Sequence, residues 1–334
     1  MHSKYVYQRF CELAIAVPII FGTVFCMYPF EGMFFKWWED HTFLIMLTSL
    51  GLGLLFFFFD YKRLMIVSFA ACASLCLMLE ARTQVPMKQP KKTSDAIVKV
   101  AQFSLSQIDT YFDEDLHTML DTKADLISIQ QVKLEGLARL NEFFTCCGYP
   151  YSECVMDDAS QSAIVVYSRY PFSFITDAKE PNVPGILGKF QLPIGKATIE
   201  LFFFSTFMQP VVDEKSYAKV RKRLQSFAYQ LNHIKAPLLV CGDYNMLPWS
   251  KDLQSFKTYA HLRDSRRGVM PIVPSGYSSL LNYPFDHIFY SDHFKCIHFE
   301  MISSASKLHL GVVGTYQFKK KEPVSNAKKA SQSI

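Results

Sequence analysis

Gly242-Asp243-Tyr244-Asn245-Met246-Leu247-Pro248-Trp249-Ser250 follows directly on a short apolar run, Pro237-Leu238-Leu239-Val240-Cys241. An apolar run of this length bounded by turn formers reads as a buried strand. Asp243 and Asn245 then stand at the strand's C-terminal end, where the sites of open α/β sheets gather. Glycine, aspartate and asparagine are equally the residues of an ordinary tight turn. By itself the stretch supports a turn and a site alike.

The rest of residues 95–318 repeats the same alternation. Residues 97–105, 124–129, 162–168, 197–205, 286–290 and 312–318 read as strands; residues 113–123, 133–147, 214–234 and 252–259 read as helices. In the longest helix, Tyr217, Val220, Leu224, Phe227 and Leu231 share one face. Strands separated by amphipathic helices predict a layered α/β domain.

The first eighty residues belong to a different environment. Residues 13–30, 42–59 and 64–79 are apolar and carry no charge. At 1.5 Å per residue each reaches about 24–27 Å, close to the hydrocarbon thickness of a bilayer. Phe34, Phe35, Trp37 and Trp38 lie between the first two runs, where interfacial aromatics belong. Two to three transmembrane helices are expected, followed by a polar linker at 81–94. No small-residue cleavage site follows the first run, which argues against a removed signal peptide. Lys4, Arg9, Lys62 and Arg63 favour an inside N-terminus, whereas Arg82, Lys88, Lys91 and Lys92 pull the other way. Priority for the first helix, with three spans, places the soluble domain outside the cytoplasm.

The formal charge is +5, and Lys319, Lys320, Lys321, Lys328 and Lys329 supply much of it. A short basic tail at 319–334, expected to be disordered, is no nucleic-acid stripe, and nothing interleaves aromatics with it. The nine cysteines show neither a CxxC pair nor zinc spacing. Cys241, inside an apolar run, is expected to be a small buried residue.

GDYNMLPWS resembles the GDFNxxPWS signature of the endonuclease/exonuclease/phosphatase superfamily. Further resemblances follow in the family's order. Residues 124–132 (ADLISIQQV) are similar to its ADIIxLQEV strand, and residues 162–171 (SAIVVYSRYP) to its strand ending in SRYP. Residues 262–268 (LRDSRRG) are similar to the LRDARRG stretch of a bacterial branch with N-terminal transmembrane segments. Phe285-Asp286-His287-Ile288 corresponds to IDHI. The resemblance implies a four-layer α/β sandwich of the deoxyribonuclease I-like kind, set in an inner (plasma) membrane.

It also implies phosphoester hydrolysis at a divalent cation, Mg²⁺ or Mn²⁺. Carried over by position, Asp243, Asn245, Asp286 and His309 are retained. Four positions depart: Ser104 for a first-strand asparagine, Gln131 for the metal-holding glutamate, Phe207 for a histidine, and Leu308 for the aspartate preceding the last histidine. Gln131 can offer only a neutral carbonyl to a metal. Phe207 has no donor for a phosphate. Leu308 is expected to leave His309 without the acceptor that fixes its tautomer. Asp109 or Asp264 are the carboxylates that would have to replace the missing glutamate. Arg263, Arg266 and Arg267 read either as phosphate ligands or as a solvated loop, and His287 as a partly buried histidine.

Losing one transition-state donor typically costs about 10²–10³ in rate, so four departures imply little of the family's activity. Two functions follow. One is a membrane-tethered non-catalytic module, a pseudoenzyme that binds a phosphorylated ligand or a protein partner. The other is an active phosphodiesterase or phosphatase with a rearranged site. The membrane setting favours a lipid or small phosphoester over nucleic acid.

Overall fold

The computed structural model describes residues 2–28, 30–83, 90–92, 96–105, 112–157, 161–175, 185–194, 197–266, 285–304 and 309–319. Four helices come first: α1 (His2–Met27), α2 (Met33–Asp40), α3 (Thr42–Phe58) and α4 (Lys62–Arg82). The α/β part runs β1 (Ile97–Ser104), α5 (Phe112–Asp121), β2 (Leu126–Lys133), α6 (Leu134–Cys146), β3 (Tyr151–Asp157), β4 (Ser162–Ser168), β5 (Phe172–Phe174) and β6 (Gly185–Ile194). It continues with β7 (Ala197–Phe207), α7 (Glu214–Asn232), β8 (Leu238–Asp243), α8 (Lys251–Tyr259), β9 (Leu262–Asp264), β10 (Asp286–Ser291), β11 (Phe294–Ser303) and β12 (His309–Phe318).

The strands form two six-stranded sheets, ordered β11-β12-β1-β2-β4-β3 and β5-β6-β7-β8-β10-β9. Alternation along each strand assigns one face to the other sheet and one to helices. In β1, Val98 and Val100 join the core between the sheets, with Leu126, Val166, Phe203, Leu239 and Ile288. Ala101 and Phe103 point the opposite way, against Leu116 and Met119 of α5 and Leu140 and Phe144 of α6. On the second sheet, Phe204, Val240 and Phe289 meet Val220, Leu224, Phe227 and Leu231 of α7 and Phe256 of α8. Helix, sheet, sheet and helix are therefore stacked in four layers. The expected face of α7 is the buried one, and its start is fixed by a capping box between Asp213 and Ser216.

Two described helices are long and apolar enough to cross a membrane, Tyr7–Met27 and Lys62–Arg82. The expected third run, residues 64–79, is thus lengthened at both ends. The expected second run is instead the longer arm of a pair with α2, bent by 57°. The bend has a tertiary cause, because α2 docks on the α/β part. Glu39 is buried there: its carbonyl accepts from Trp249 Nε1 at 3.0 Å and its carboxylate from the Lys251 N–H at 2.6 Å. Arg82 at the end of α4 lies 3.5 Å from the same carboxylate and donates to the Trp249 carbonyl at 3.2 Å. Leu247 and Trp249 pack with Cys26, Leu75, Met78 and Leu79. The linker expected at 81–94 therefore begins inside α4, and residues 320–334 of the basic tail lie outside the described residues.

Candidate functional site

At one end of the sandwich, the inward positions change from apolar to polar. Gln102 on β1, Ser128 and Gln130 on β2, Ser205 on β7, Asp243 on β8 and Asp286 on β10 are all buried. A polar side chain so placed must find partners within the protein. Ser128 Oγ and Ser205 Oγ meet across the two sheets at 2.6 Å. Gln130 Nε2 donates to Ser205 Oγ at 3.3 Å, and its Oε1 accepts the Asp243 N–H at 2.8 Å. This buried layer ties the end of β8 to the opposite sheet. Gln102, Ser128, Gln130 and Ser205 are not among the site residues expected from sequence, although their parity with Val100, Leu126 and Phe203 marks them as inward.

The turn after β8 is tightly determined. A Cβ on Gly242 would come within 2.1 Å of the Thr206 carbonyl oxygen, so only glycine lets β7 and β8 approach here. Asp243 Oδ1 accepts the Asn245 N–H at 2.9 Å, and Asn245 takes the left-handed conformation at φ 48°. Asparagine tolerates that region better than most residues. Its Nδ2 donates to the Met208 carbonyl at 2.7 Å. Ser250 then caps α8 by accepting from the Leu253 N–H.

The four retained positions converge. Asp243 and Asp286 are register partners on β8 and β10. His309, at the start of β12 in the other sheet, donates from Nε2 to Asp286 Oδ2 at 2.5 Å. Here the structure corrects the expectation drawn from Leu308: His309 has its acceptor, and that acceptor is Asp286. Leu308 itself lies outside the described residues. The substituted positions also reach the carboxylates. Ser104 Oγ donates to Asp286 Oδ1 at 3.2 Å, and Gln131 Nε2 to Asp243 Oδ2 at 3.3 Å. Gln131 sits at φ 59° in an irregularity of the β2–β4 pairing between Ile129 and Val132, which turns it toward β8. Phe207, beside Asp243 in register, is buried in the apolar core between the sheets.

Each side-chain oxygen of Asp243 and Asp286 thus has a hydrogen-bond partner in the chain itself. Burial, and then the charge of Asp286, push the Asp243 carboxyl up to about 8. The divalent cation that the resemblance implies does not fit this donor set. The position of its anionic ligand holds an amide that presents N–H to Asp243, and a cation needs oxygen ligands instead. Among the described residues, no group of three or more His, Cys, Asp or Glu is arranged to hold a metal. Asp264 is committed elsewhere, with Lys257 Nζ at 3.5 Å and His287 Nδ1 at 3.8 Å. Burial pushes its carboxyl up, but the hydrogen bond with His287 and the charges of Lys257 and Arg266 outweigh it and hold the carboxyl below the usual range. Asp109 lies outside the described residues.

The arginines separate. Arg263 is exposed and paired with Asp292, and Arg267 lies outside the described residues. Arg266, expected in a solvated loop or on a phosphate, is buried and donates from Nη2 to the Asp286 carbonyl at 2.7 Å. It supports the backbone of β10 from behind the carboxylate. His287 is fully buried, with Nε2 at 3.0 Å from the Met246 carbonyl.

Two facing sheets with helices outside them, and an Asp, Asn and His cluster at one end, are consistent with a phosphoesterase-type α/β domain. Residues 108–304 match the endonuclease/exonuclease/phosphatase family, and the chain belongs to it. Among solved structures it is similar to an endonuclease/exonuclease/phosphatase from Beutenbergia cavernae DSM 12333, at 17% identity and TM-score 0.51, over 67% of this chain and 72% of that one. It is similar also to D. rerio TDP2 complexed with single strand DNA product, at 12% identity and TM-score 0.51, over 67% of this chain and 100% of the other. The endonuclease/exonuclease/phosphatase from Bacteroides vulgatus aligns at 13% identity and TM-score 0.50, over 67% and 99% of the two chains. These likenesses establish the fold. No curated protein sequence matches the chain.

Proposed function

We propose that this chain is a membrane-anchored endonuclease/exonuclease/phosphatase-fold protein with a degenerate catalytic site, which binds a phosphorylated ligand or a protein partner without hydrolysing it. One observation carries the reading: each side-chain oxygen of Asp243 and Asp286 already has a partner in the chain, from Gln131, Asn245, Ser104 or His309. Such a pocket offers neither a free general base for water nor an anionic seat for a cation. Phe207 adds no donor where charge would develop on a phosphoryl group. The apolar helices Tyr7–Met27 and Lys62–Arg82 support the anchor. With the bent pair of α2 and α3 as the third span, the basic residues Lys4 and Arg9 support an inside N-terminus and an α/β part outside the cytoplasm.

The second reading, an active Mg²⁺- or Mn²⁺-dependent phosphodiesterase or phosphatase, draws support from the intact Asp286–His309 pair. Hydrolysis of bis-p-nitrophenyl phosphate and p-nitrophenyl phosphate by the full chain, with either metal, separates the two. The proposal predicts no turnover by the natural sequence and activity in a Gln131→Glu, Phe207→His, Leu308→Asp variant. Turnover by the natural sequence that disappears in Asp243→Ala establishes the hydrolase instead.

A further inference from the structure

A cavity of about 470 Å³ opens between the α2–α3 bend and the turn that carries Asn245. Its volume falls in the ordinary range for a small-molecule site. Lys36, Asp40, His41 and Leu44 line it from the bend; Asn245 and Phe285 line it from the α/β part. The cavity therefore belongs jointly to the membrane helices and to the family's site.

Three features specify the occupant. The first is depth: Phe34 and Trp37 on α2 are 63% and 53% exposed, as aromatics at a membrane–water interface are, so the cavity lies at headgroup level. The second is charge. Lys36 Nζ and Asp40 Oδ1 are 3.0 Å apart, so the wall presents both signs side by side. His41 stands next to them, with Nδ1 bonded to the Trp37 carbonyl at 2.7 Å and Nε2 as its other polar atom. The third is an apolar exit. Leu44 and Leu47, one helical turn apart on α3, are 40% and 43% exposed and continue from the cavity along the apolar helix.

We propose that this cavity seats the headgroup of a zwitterionic phospholipid entering from the bilayer. The phosphate lies by Lys36 and His41, the ammonium lies by Asp40, and one acyl chain follows Leu44 and Leu47. This deepens the reading of a site that binds without hydrolysing, and it rests on the membrane placement given there.

The test uses the full chain purified in a maltoside detergent, with thermal unfolding followed on addition of four probes. These are dioctanoyl-phosphatidylethanolamine, dioctanoyl-phosphatidylglycerol, dioctanoylglycerol and soluble phosphoethanolamine. The first is expected to raise Tm saturably and the other three to have little effect. Val211→Trp places a large ring in the cavity wall and is expected to abolish the shift. Asp40→Asn, which removes one charged partner, is expected to weaken phosphatidylethanolamine binding by about tenfold or more. An equal shift from dioctanoylglycerol overturns headgroup recognition, and one from phosphatidylglycerol overturns the role of Asp40. A shift from phosphoethanolamine alone makes the ligand a soluble phosphoester and overturns the lipid. A shift undiminished in Val211→Trp puts binding elsewhere. Release of diacylglycerol or phosphatidic acid from a lipid that does bind upholds the seat and refutes the non-catalytic reading. The absence of any shift removes the seat and leaves that reading standing.

Discussion

Asp243→Asn is expected to stabilise the protein at neutral pH, more so as pH rises. In the folded chain, burial and the neighbouring Asp286 push this carboxyl to about 8, against an ordinary value of about 3.9 in the unfolded chain. Between those two values the folded state holds a proton that the unfolded state has released. Stability is therefore greatest below about pH 4 for this group and is lost as pH rises toward 8. At about 1.36 kcal/mol per unit, the loss by pH 7 is roughly 4 kcal/mol as an upper figure. Asparagine keeps the shape and the oxygen that accepts the Asn245 N–H, and Gln131 can turn its amide to face the new Nδ2. Imperfect geometry after that turn leaves a net gain of about 2 kcal/mol, or roughly 4–8 °C in Tm for a domain of this size. Circular dichroism melting of both proteins in detergent at pH 5 and pH 8 measures it. A lower Tm for the variant at pH 8, or a difference that does not grow with pH, refutes the argument.

Further substitutions test the framework that holds the site and the helices. Gly242→Ala drives a Cβ into the Thr206 backbone and is expected to cost about 3 kcal/mol in a melt. Gly51→Ala, with open space around it in α3, is expected to leave stability unchanged or slightly raised. Arg82→Met strands the buried Glu39 carboxylate at the joint between α4 and the turn, a loss of about 3–5 kcal/mol. The double variant with Glu39→Gln should recover part of the lost Tm.

Much of this fold could be read from alternation and amphipathic spacing, because both sheets bury their strands on two faces. The elements that escaped have physical reasons. In β6, Gly185, Gly188 and Pro193 interrupt the apolar run by which a strand is recognised. In β11, an edge strand, Lys295, His298 and Glu300 break up the run. The helix α2 is short, and its docking on Trp249 is a tertiary event that no local pattern carries. The motif placed Asp243, Asn245, Asp286 and His309 in one site, but the pairing among them was not legible. Asp286 and His309 belong to different sheets, so their contact depends on how those sheets are packed. For that reason the residue next to His309 in sequence was a poor guide to its acceptor. Arg266 likewise reads as one of a polar trio, and only the fold singles it out for burial.

Titration calorimetry of Mg²⁺ into the full chain, beside Gln131→Glu and Asp286→Ala, tests most directly whether the carboxylates are already satisfied. No binding heat is expected from the natural sequence at millimolar Mg²⁺, and a clear isotherm from Gln131→Glu, which restores an anionic ligand next to Asp243. Binding heat from the natural sequence that vanishes in Asp286→Ala would contradict that expectation.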